Sequence, residues 1–376
     1  MNSNLLNFIK THKNWEELLS APPYSLKISR DGGYIMFKYN QIESDFSIPE
    51  VREARGIIFR EKDWKIVCRP FDKFFNMGEP NAAEINWNSP NLSITEKIDG
   101  SLIKLWHDNG RWHSSTNGTI DSTKSIANDA LGLSFFNIFM RALIENNRSP
   151  GEFLDELERV SGSVSHNYTY MFEVVSPASR VVIPYENYGL FYLGARNNRT
   201  GEYEDFGLFE ELRPRSFEFQ GINALLKSAR TLNWMHEGFV VFDGVDRLKV
   251  KSPAYVLAHY ARNNGAISIR RLIDVILMGE EKEFLTYCSE YEEKLEEIKT
   301  IMSKACRRAE NLKTIYSFFD YKDRKDFALT IKDEGIFKDF LFKAFPTFKL
   351  SWNEYIIEWT AADWEKFLEK YPTSKI

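Results

Sequence analysis

Residues 94–105, ITEKIDGSLIKL, form an apolar, strand-like run broken by Lys97-Ile98-Asp99-Gly100. A lysine, an acid and a glycine inside such a run cost packing, so the break is either a solvated turn or a place where chemistry is done. The chemistry open to it is nucleophilic catalysis. A lysine amine attacks only when deprotonated, and its ordinary pKa of about 10.4 must be lowered by neighbouring cations or a metal for that to happen near neutrality. Gly100 lets a phosphate or nucleoside come close to the backbone. By itself a K-x-D-G tetrapeptide arises by chance in about one chain in ten of this length. The neighbouring segments therefore decide.

Working outward, residues before about 255 read as short β-rich runs: Gly33 to Tyr39, Gly56 to Arg60, Ser101 to His107, Tyr170 to Val175, Leu190 to Ala195 and Gly238 to Asp243. Turn signals separate them, among them Asp31-Gly32-Gly33, Asp108-Asn109-Gly110 and Thr200-Gly201. Helical spacing predicts one helix over Ser125 to Asn146 and another over Phe153 to Val160. Strict βαβ alternation is missing, so the expectation is an antiparallel α+β domain over residues 1–255. The N-terminal segment predicts a short amphipathic helix. After residue 255 the pattern turns helical. From Phe284 to Leu312 apolar residues recur at spacings of three and four, with acids at the start and Arg307, Arg308 and Lys313 near the end, which predicts one long helix. Shorter helices follow at Phe337 to Phe345 and Ala361 to Tyr371, with Pro346 and Pro372 as stops. Residues 256–376 are expected to be an all-α C-terminal domain.

Composition fits two folded domains. With 376 residues, 43% hydrophobic and 15% aromatic, the chain can bury one large core and a smaller second one. Cys68, Cys288 and Cys306 have neither paired spacing nor a CxxC, which argues against a disulfide framework or zinc site and for a reducing cytosol. No signal sequence and no apolar run near 20 residues is present, so a cytoplasmic protein with no membrane partner is expected. A net charge of −5 argues against a protein that coats nucleic acid through bulk positive charge, and leaves room for a local basic cleft. No histidine pair has metal-ligand spacing, no serine has a nucleophile elbow, and a P-loop is absent.

Several segments surround Lys97 in order. Upstream are Glu53-Ala54-Arg55-Gly56-Ile57-Ile58-Phe59 and Arg69-Pro70-Phe71-Asp72-Lys73-Phe74-Phe75-Asn76. Downstream come Tyr170 to Val175, Glu237-Gly238-Phe239-Val240-Val241-Phe242 and Leu248-Lys249-Val250-Lys251. This set resembles the covalent nucleotidyltransferase superfamily of nucleic-acid ligases and capping enzymes, and most closely the bacteriophage RNA ligase 1 family. The paired segments RGIIF and RPFDKFFN favour that family. The resemblance covers roughly residues 35–260.

The resemblance implies an antiparallel-sheet nucleotidyltransferase domain in which Lys97 attacks the α-phosphate of ATP, releases pyrophosphate and becomes a lysyl-AMP. The adenylate then passes to an RNA 5′-phosphate, and an RNA 3′-hydroxyl displaces AMP. It also implies magnesium, with manganese as an alternative, a monomer, and work on broken RNA, such as a tRNA loop, in a phage host's cytoplasm. Lys249 and Lys251 lie two apart in a strand and so share a face; they neutralise charge on the α-phosphate, or else protect an edge strand. Arg55, Lys73 and Tyr39 reach the nucleotide phosphates, with an ion pair to Glu53 as the alternative for Arg55. Glu173 holds the ribose, and Leu193 and Val240 sandwich the adenine. Glu237 positions the divalent ion; few carboxylates suffice for magnesium, which keeps phosphate oxygens and waters. Asp99 is read either as orienting a metal-bound water or as a turn residue. Tyr255 matches an aromatic position without an assigned role.

One departure stands out: where the family carries a lysine in a segment like SKGS, this chain has Asn117 in Ser115-Thr116-Asn117-Gly118-Thr119. Lys124 is the nearby candidate to supply the missing charge. Three readings stay open: an ATP-dependent RNA ligase; a DNA ligase or capping-type guanylyltransferase, which usually appends a β-barrel where this chain reads as helices; and a non-catalytic nucleotide- or RNA-binding relative. In the helical domain, Arg262, Arg270, Arg271, Arg307 and Arg308 either meet RNA or form a solvated face.

Overall fold

The computed structural model describes residues 3–127, 132–161, 166–260, 267–357 and 359–370; Arg262, Tyr371 and Pro372 lie outside them, as does part of the expected 125–146 helix. The chain divides into two compact units, residues 1–259 and 260–376.

Thirteen strands form three sheets among the described residues of the first unit. β1 (Lys27–Asp31), β2 (Tyr34–Lys38), β3 (Arg55–Arg60) and β4 (Lys65–Cys68) lie in chain order. β5 (Phe75–Asn76) and β6 (Ser93–Glu96) flank β12 (Gly238–Phe242) and β13 (Arg247–Lys251) in the order β5-β13-β12-β6. The largest sheet runs β11-β10-β9-β7-β8, with β7 at Ser101–Asp108, β8 at Arg111–Thr116, β9 at Tyr168–Val175, β10 at Gly189–Asn197 and β11 at Tyr203–Glu204. The pairings are antiparallel except β5 with β13. This is the expected antiparallel α+β class.

The two-residue period explains the layers. In β2, Ile35 and Phe37 enter the core shared with Leu5, Leu6 and Ile9 of the helix Asn4–Thr11, while Tyr34 and Met36 face the other way, toward Trp106 of β7. Trp106 is fully buried and meets the Tyr34 ring at 5.0 Å, edge to face, so the first sheet and the largest sheet share a core. On its far face the largest sheet buries Ile103, Leu105, Tyr170 and Phe172 against the helices Phe135–Glu145 and Pro150–Ser161. The sheet containing β12 and β13 is covered by the helix Ile222–Thr231 through Leu225 and Ala229.

Three helical expectations are corrected. The N-terminal segment forms two helices, Asn4–Thr11 and Trp15–Ser20. The helix expected from Ser125 starts only at Phe135: Ser134 is extended, its side chain accepts from the Asn137 N–H, and Ile126 bridges Ser134 in β fashion. The long helix of the second unit is two helices, Glu281–Tyr287 and Glu292–Ser317, joined by a 3-10 turn at Ser289–Tyr291. Its apolar period runs across the break because Phe284 and Tyr291 still meet, 5.8 Å between ring centres.

The second unit is helical throughout its described residues, with Trp352, Phe327 and Phe340 fully buried. Arg270 pairs with Glu365 and Arg271 with Asp274, whereas Arg307 and Arg308 are exposed. Among the described residues no helix is long and apolar enough to cross a membrane. Cys68, Cys288 and Cys306 are free thiols.

Candidate active site

The break in ITEKIDGSLIKL sits between two sheets. β6 ends at Glu96 in one sheet and β7 begins at Ser101 in another, so Lys97 to Gly100 carry the chain across. The Lys97 N–H donates to the Gly238 carbonyl at 2.9 Å, fastening the crossing to the start of β12. Gly100 is required by space: a Cβ there would lie 2.5 Å from the Val174 carbonyl oxygen and 2.9 Å from Glu173 Cγ.

A cleft of about 880 Å³ opens over this crossing. Among its lining residues are six of the sequence-derived candidates: Lys97, Arg55, Glu173, Leu193, Val240 and Lys249. Lys97 Nζ stands 2.8 Å from Glu237 Oε1, and Lys251 Nζ stands 3.6 Å from the same oxygen. One nearly buried carboxylate thus bridges two ammonium groups and leaves the trio with one net positive charge. Val240 pairs with Lys249 and Gly238 with Lys251 across the β12–β13 hairpin, which sets both lysines on one face as their spacing predicts.

Arg55 begins β3, with its guanidinium 5.2 Å from the Phe74 ring centre. Its Nη1 is buried without a hydrogen-bond partner. The alternative pairing with Glu53 is not formed, because that carboxylate accepts from Ser3 Oγ and the N–H groups of Asn4 and Leu5, and faces Arg69 at 3.7 Å. Glu173 lies on β9, partly open to the cleft. Burial pushes its carboxyl up to about 7; Lys97 and Arg55 draw it down, and Glu237 and Asp99 add to the rise.

Asp99 is an anchor. Its Oδ2 accepts from the N–H groups of Val182 and Ile183 at 2.9 and 2.7 Å, and its Oδ1 accepts from the Tyr255 hydroxyl at 2.7 Å. It is 4% exposed, and these three hydrogen bonds show it holding the 182–183 turn and Tyr255, as the turn alternative of its reading has it. Tyr255 acquires its role from the same bond. Tyr39 and Lys73 stand outside the cleft lining. Lys73 lies over the rings of Tyr39, Phe46 and Phe75 at 5.1, 5.1 and 5.7 Å and donates to Gln41 Oε1, lining a neighbouring cleft instead. Among the described residues no cluster of three or more His, Cys, Asp or Glu side chains could hold a metal ion.

A family model described as RNA ligase matches residues 53–255, more than half of the chain and the whole of the segment that builds the cleft. The chain belongs to the RNA ligase family. A protein of Autographa californica nuclear polyhedrosis virus, whose name reads bifunctional polynucleotide kinase/RNA ligase, is 31% identical over 67% of this chain and 37% of its own length. The chain therefore spans well under half of that relative. An RNA ligase of Rhodothermus phage RM378 is 28% identical over 72% of this chain and 74% of that protein. Among solved structures, an archaeal ATP-dependent RNA ligase aligns over 84% of each chain at 16% identity, with a TM-score of 0.45.

Two cations of this RNA ligase family chain, one lining the cleft and one buried behind it, escaped the sequence reading. Arg247 lines the cleft, its guanidinium 3.8 Å from the ring centres of Tyr203 and Phe242 and 4.4 Å from that of Phe71. Burial lowers its pKa to about 10. The signal was available, since Arg247, Lys249 and Lys251 alternate along β13 and share one face. Lys104 is wholly buried on β7, and an isolated lysine in a strand gives no such signal. Lys124, the candidate replacement for a charge at Asn117, is instead exposed and paired with Asp31.

Proposed function

We propose that the protein is an ATP-dependent RNA ligase that joins an RNA 5′-phosphate to a 3′-hydroxyl through a lysyl-AMP on Lys97. The observation that carries this reading is Lys97 Nζ in the cleft, 2.8 Å from Glu237 Oε1 and backed by Lys251, with Arg55, Glu173 and Lys249 on the surrounding walls. An amine becomes a nucleophile when it gives up its proton, and Glu237 Oε1 is the acceptor within reach. Nζ then bonds to the α-phosphorus, the bond from that phosphorus to the bridging oxygen breaks, and pyrophosphate leaves with the electron pair. Lys249, Lys251 and Arg55 stabilise the charge gathering on the phosphate oxygens. An RNA 5′-phosphate oxygen next displaces Lys97 from the adenylate phosphorus. The RNA 3′-hydroxyl attacks the 5′-phosphorus last, and AMP departs.

Glu173 accepts from the ribose hydroxyls and Leu193 and Val240 enclose the base. A divalent ion, magnesium or manganese, fits Glu237 together with phosphate oxygens, and would supply further charge neutralisation at the phosphates. Lys73, which lines the neighbouring cleft and lies over the Tyr39 ring, contacts the outer phosphates together with Tyr39. The substrate class is nicked RNA, as in a cleaved tRNA loop, met by a monomer in the cytoplasm, with residues 260–376 selecting the RNA end.

The test is incubation with α-labelled ATP and magnesium, followed by denaturing electrophoresis and intact mass. An added AMP that is absent in Lys97→Ala and is discharged by 5′-phosphorylated RNA supports the reading. Labelling that persists in Lys97→Ala, or appears only with GTP, overturns it.

A further inference from the structure

Several cations of the first unit come with carboxylates: Arg60 with Asp108 at 2.9 Å, Arg196 with Asp72 at 2.7 Å and Lys97 with Glu237 at 2.8 Å, whereas Arg247 lies among the rings of Phe71, Tyr203 and Phe242. A further group also lacks a carboxylate. Lys38 at the end of β2, Arg55 at the start of β3 and Lys104 in β7 converge on the Asn117–Gly118 turn, and among the described residues none of the three has a carboxylate within ion-pair distance. A Cβ on Gly56 would lie 2.7 Å from Lys104 Nζ and 2.9 Å from the Asn117 carbonyl oxygen; one on Gly118 would lie 3.5 Å from Lys38 Nζ. Asn117 and Gly118 line the cleft, as Arg55 does. Arg55 Nη1 and Asn117 Oδ1 are both buried without hydrogen-bond partners.

The local backbone explains why a lysine is buried here. Pairing of β2 with β3 runs from Phe37–Ile57 to Lys38–Arg55 and skips Gly56, a bulge with φ of +80°. Lys104 Nζ donates to the bulge carbonyl of Gly56 at 2.6 Å, next to Arg55, which lines the cleft.

We infer that Lys38, Arg55 and Lys104 form a phosphate-binding cluster around Asn117–Gly118, in which Lys38 and Arg55 engage the nucleotide phosphates and Lys104 is a positioning residue that pins the Arg55 bulge and adds its buried charge from beneath. This rests on reading the cleft as an ATP site. Three cations gathered without an acid repel one another, and an arriving polyanion relieves that repulsion. The cluster supplies from β2 and β7 the charge that Asn117 does not carry. Burial, opposed by the Cys68 side chain and aided by Arg55 and Lys38, lowers the Lys104 pKa to about 8. The remaining groups facing Lys104 are neutral: Ser115 on β8 and Met171 on β9 are its pairing partners. A bound phosphate favours the charged ammonium, so ATP affinity should fall as pH rises through about 8 and Lys104 loses its proton.

The experiment measures affinity for ATP, presented as its α,β-methylene analogue so that Lys97 cannot be adenylylated, with magnesium between pH 7 and 9.5, by calorimetry, for the wild type, Lys38→Gln, Lys104→Gln and Lys104→Gln/Asn117→Lys. Glutamine keeps a donor for the Gly56 carbonyl. Expected are losses of about tenfold at pH 7.5 for Lys104→Gln and severalfold for Lys38→Gln, each tenfold being about 1.4 kcal/mol. The alkaline fall should flatten in Lys104→Gln, and Asn117→Lys should restore most of the affinity. A merely structural lysine predicts a lower melting temperature with affinity and pH profile unchanged, and that result overturns the inference. Should Lys104→Gln fail to fold, Lys38→Gln at wild-type affinity, or a wild-type affinity flat across the range, overturns it equally. A wild type that binds no ATP sinks the functional reading along with it, whereas ATP binding with indifferent variants sinks this inference alone.

Discussion

Glu173 occupies a strand position where a carboxylate is costly, flanked in β9 by Phe172 and Val174, both fully buried. Its usual pKa of 4.5 rises to about 7 because burial penalises the charged form. Between those values the folded protein holds a proton that the unfolded chain has released, so this group's contribution to stability is greatest in acid and is lost as pH rises through about 7. Glu173→Gln removes the titration. The melting temperature of the variant relative to wild type should therefore climb between pH 5 and pH 8, and a constant difference across that range would mean that Glu173 titrates normally. Asp99 makes the opposite kind of prediction. Asparagine puts an amide N–H where the Val182 and Ile183 N–H groups or the Tyr255 hydroxyl need an acceptor, leaving buried donors unpaired. Asp99→Asn should cost about 2–3 kcal/mol in urea denaturation. If Asp99 only anchors the 182–183 turn, tenfold more magnesium will not restore labelling by ATP; rescue by metal would return it to the ligand set.

At the scale of elements, the helix starting at Phe135 offers a test by sign. Ser134 as N-cap makes Ser134→Ala destabilising by about 1 kcal/mol. Were the helix continuous from Ser125, the same change would place alanine mid-helix and stabilise it by a few tenths. Urea unfolding of the variant distinguishes the two. The sequence misleads here because Ile126 keeps helical spacing with the true helix while lying in a bridge to Ser134. Strands were more legible: Ile35 and Phe37 against Tyr34 and Met36 show the period of two, and the edges read from it differ from β2, β7 and β9 by one or two residues. In the cleft, the reading found residues whose neighbours carry a pattern, Lys97 before Asp-Gly and Lys249 two before Lys251. It missed Lys104, whose use depends on a bulge in another strand, and it gave no sign that the Lys73 ammonium rests among Tyr39, Phe46 and Phe75. Contacts between distant strands leave no local spacing to read.

At the scale of the molecule, the place where the chain divides matters to the chemistry. A boundary read from the onset of helical sequence falls after residue 255, yet the helix Pro253–Tyr260 buries Tyr255 and Val256, each 2% exposed, in the first unit. Tyr255 holds Asp99, Asp99 holds the turn at Val182–Ile183, and Asp99 is two residues from Lys97. Removing a buried hydroxyl donor from a buried carboxylate costs about 1–3 kcal/mol before any loss of apolar burial is added. A chain ending at residue 259 should thus melt cooperatively and still form the AMP adduct on Lys97, because the first unit is complete. A chain ending at residue 252 should melt at a lower temperature and label slowly or not at all. Intact mass after incubation with ATP, beside thermal melts of both truncations, reads the two outcomes together. Equal labelling by both would show that Tyr255 is dispensable to the nucleotide cleft, and failure of both would show that residues 260–376 are needed for adenylylation itself rather than only for the choice of RNA.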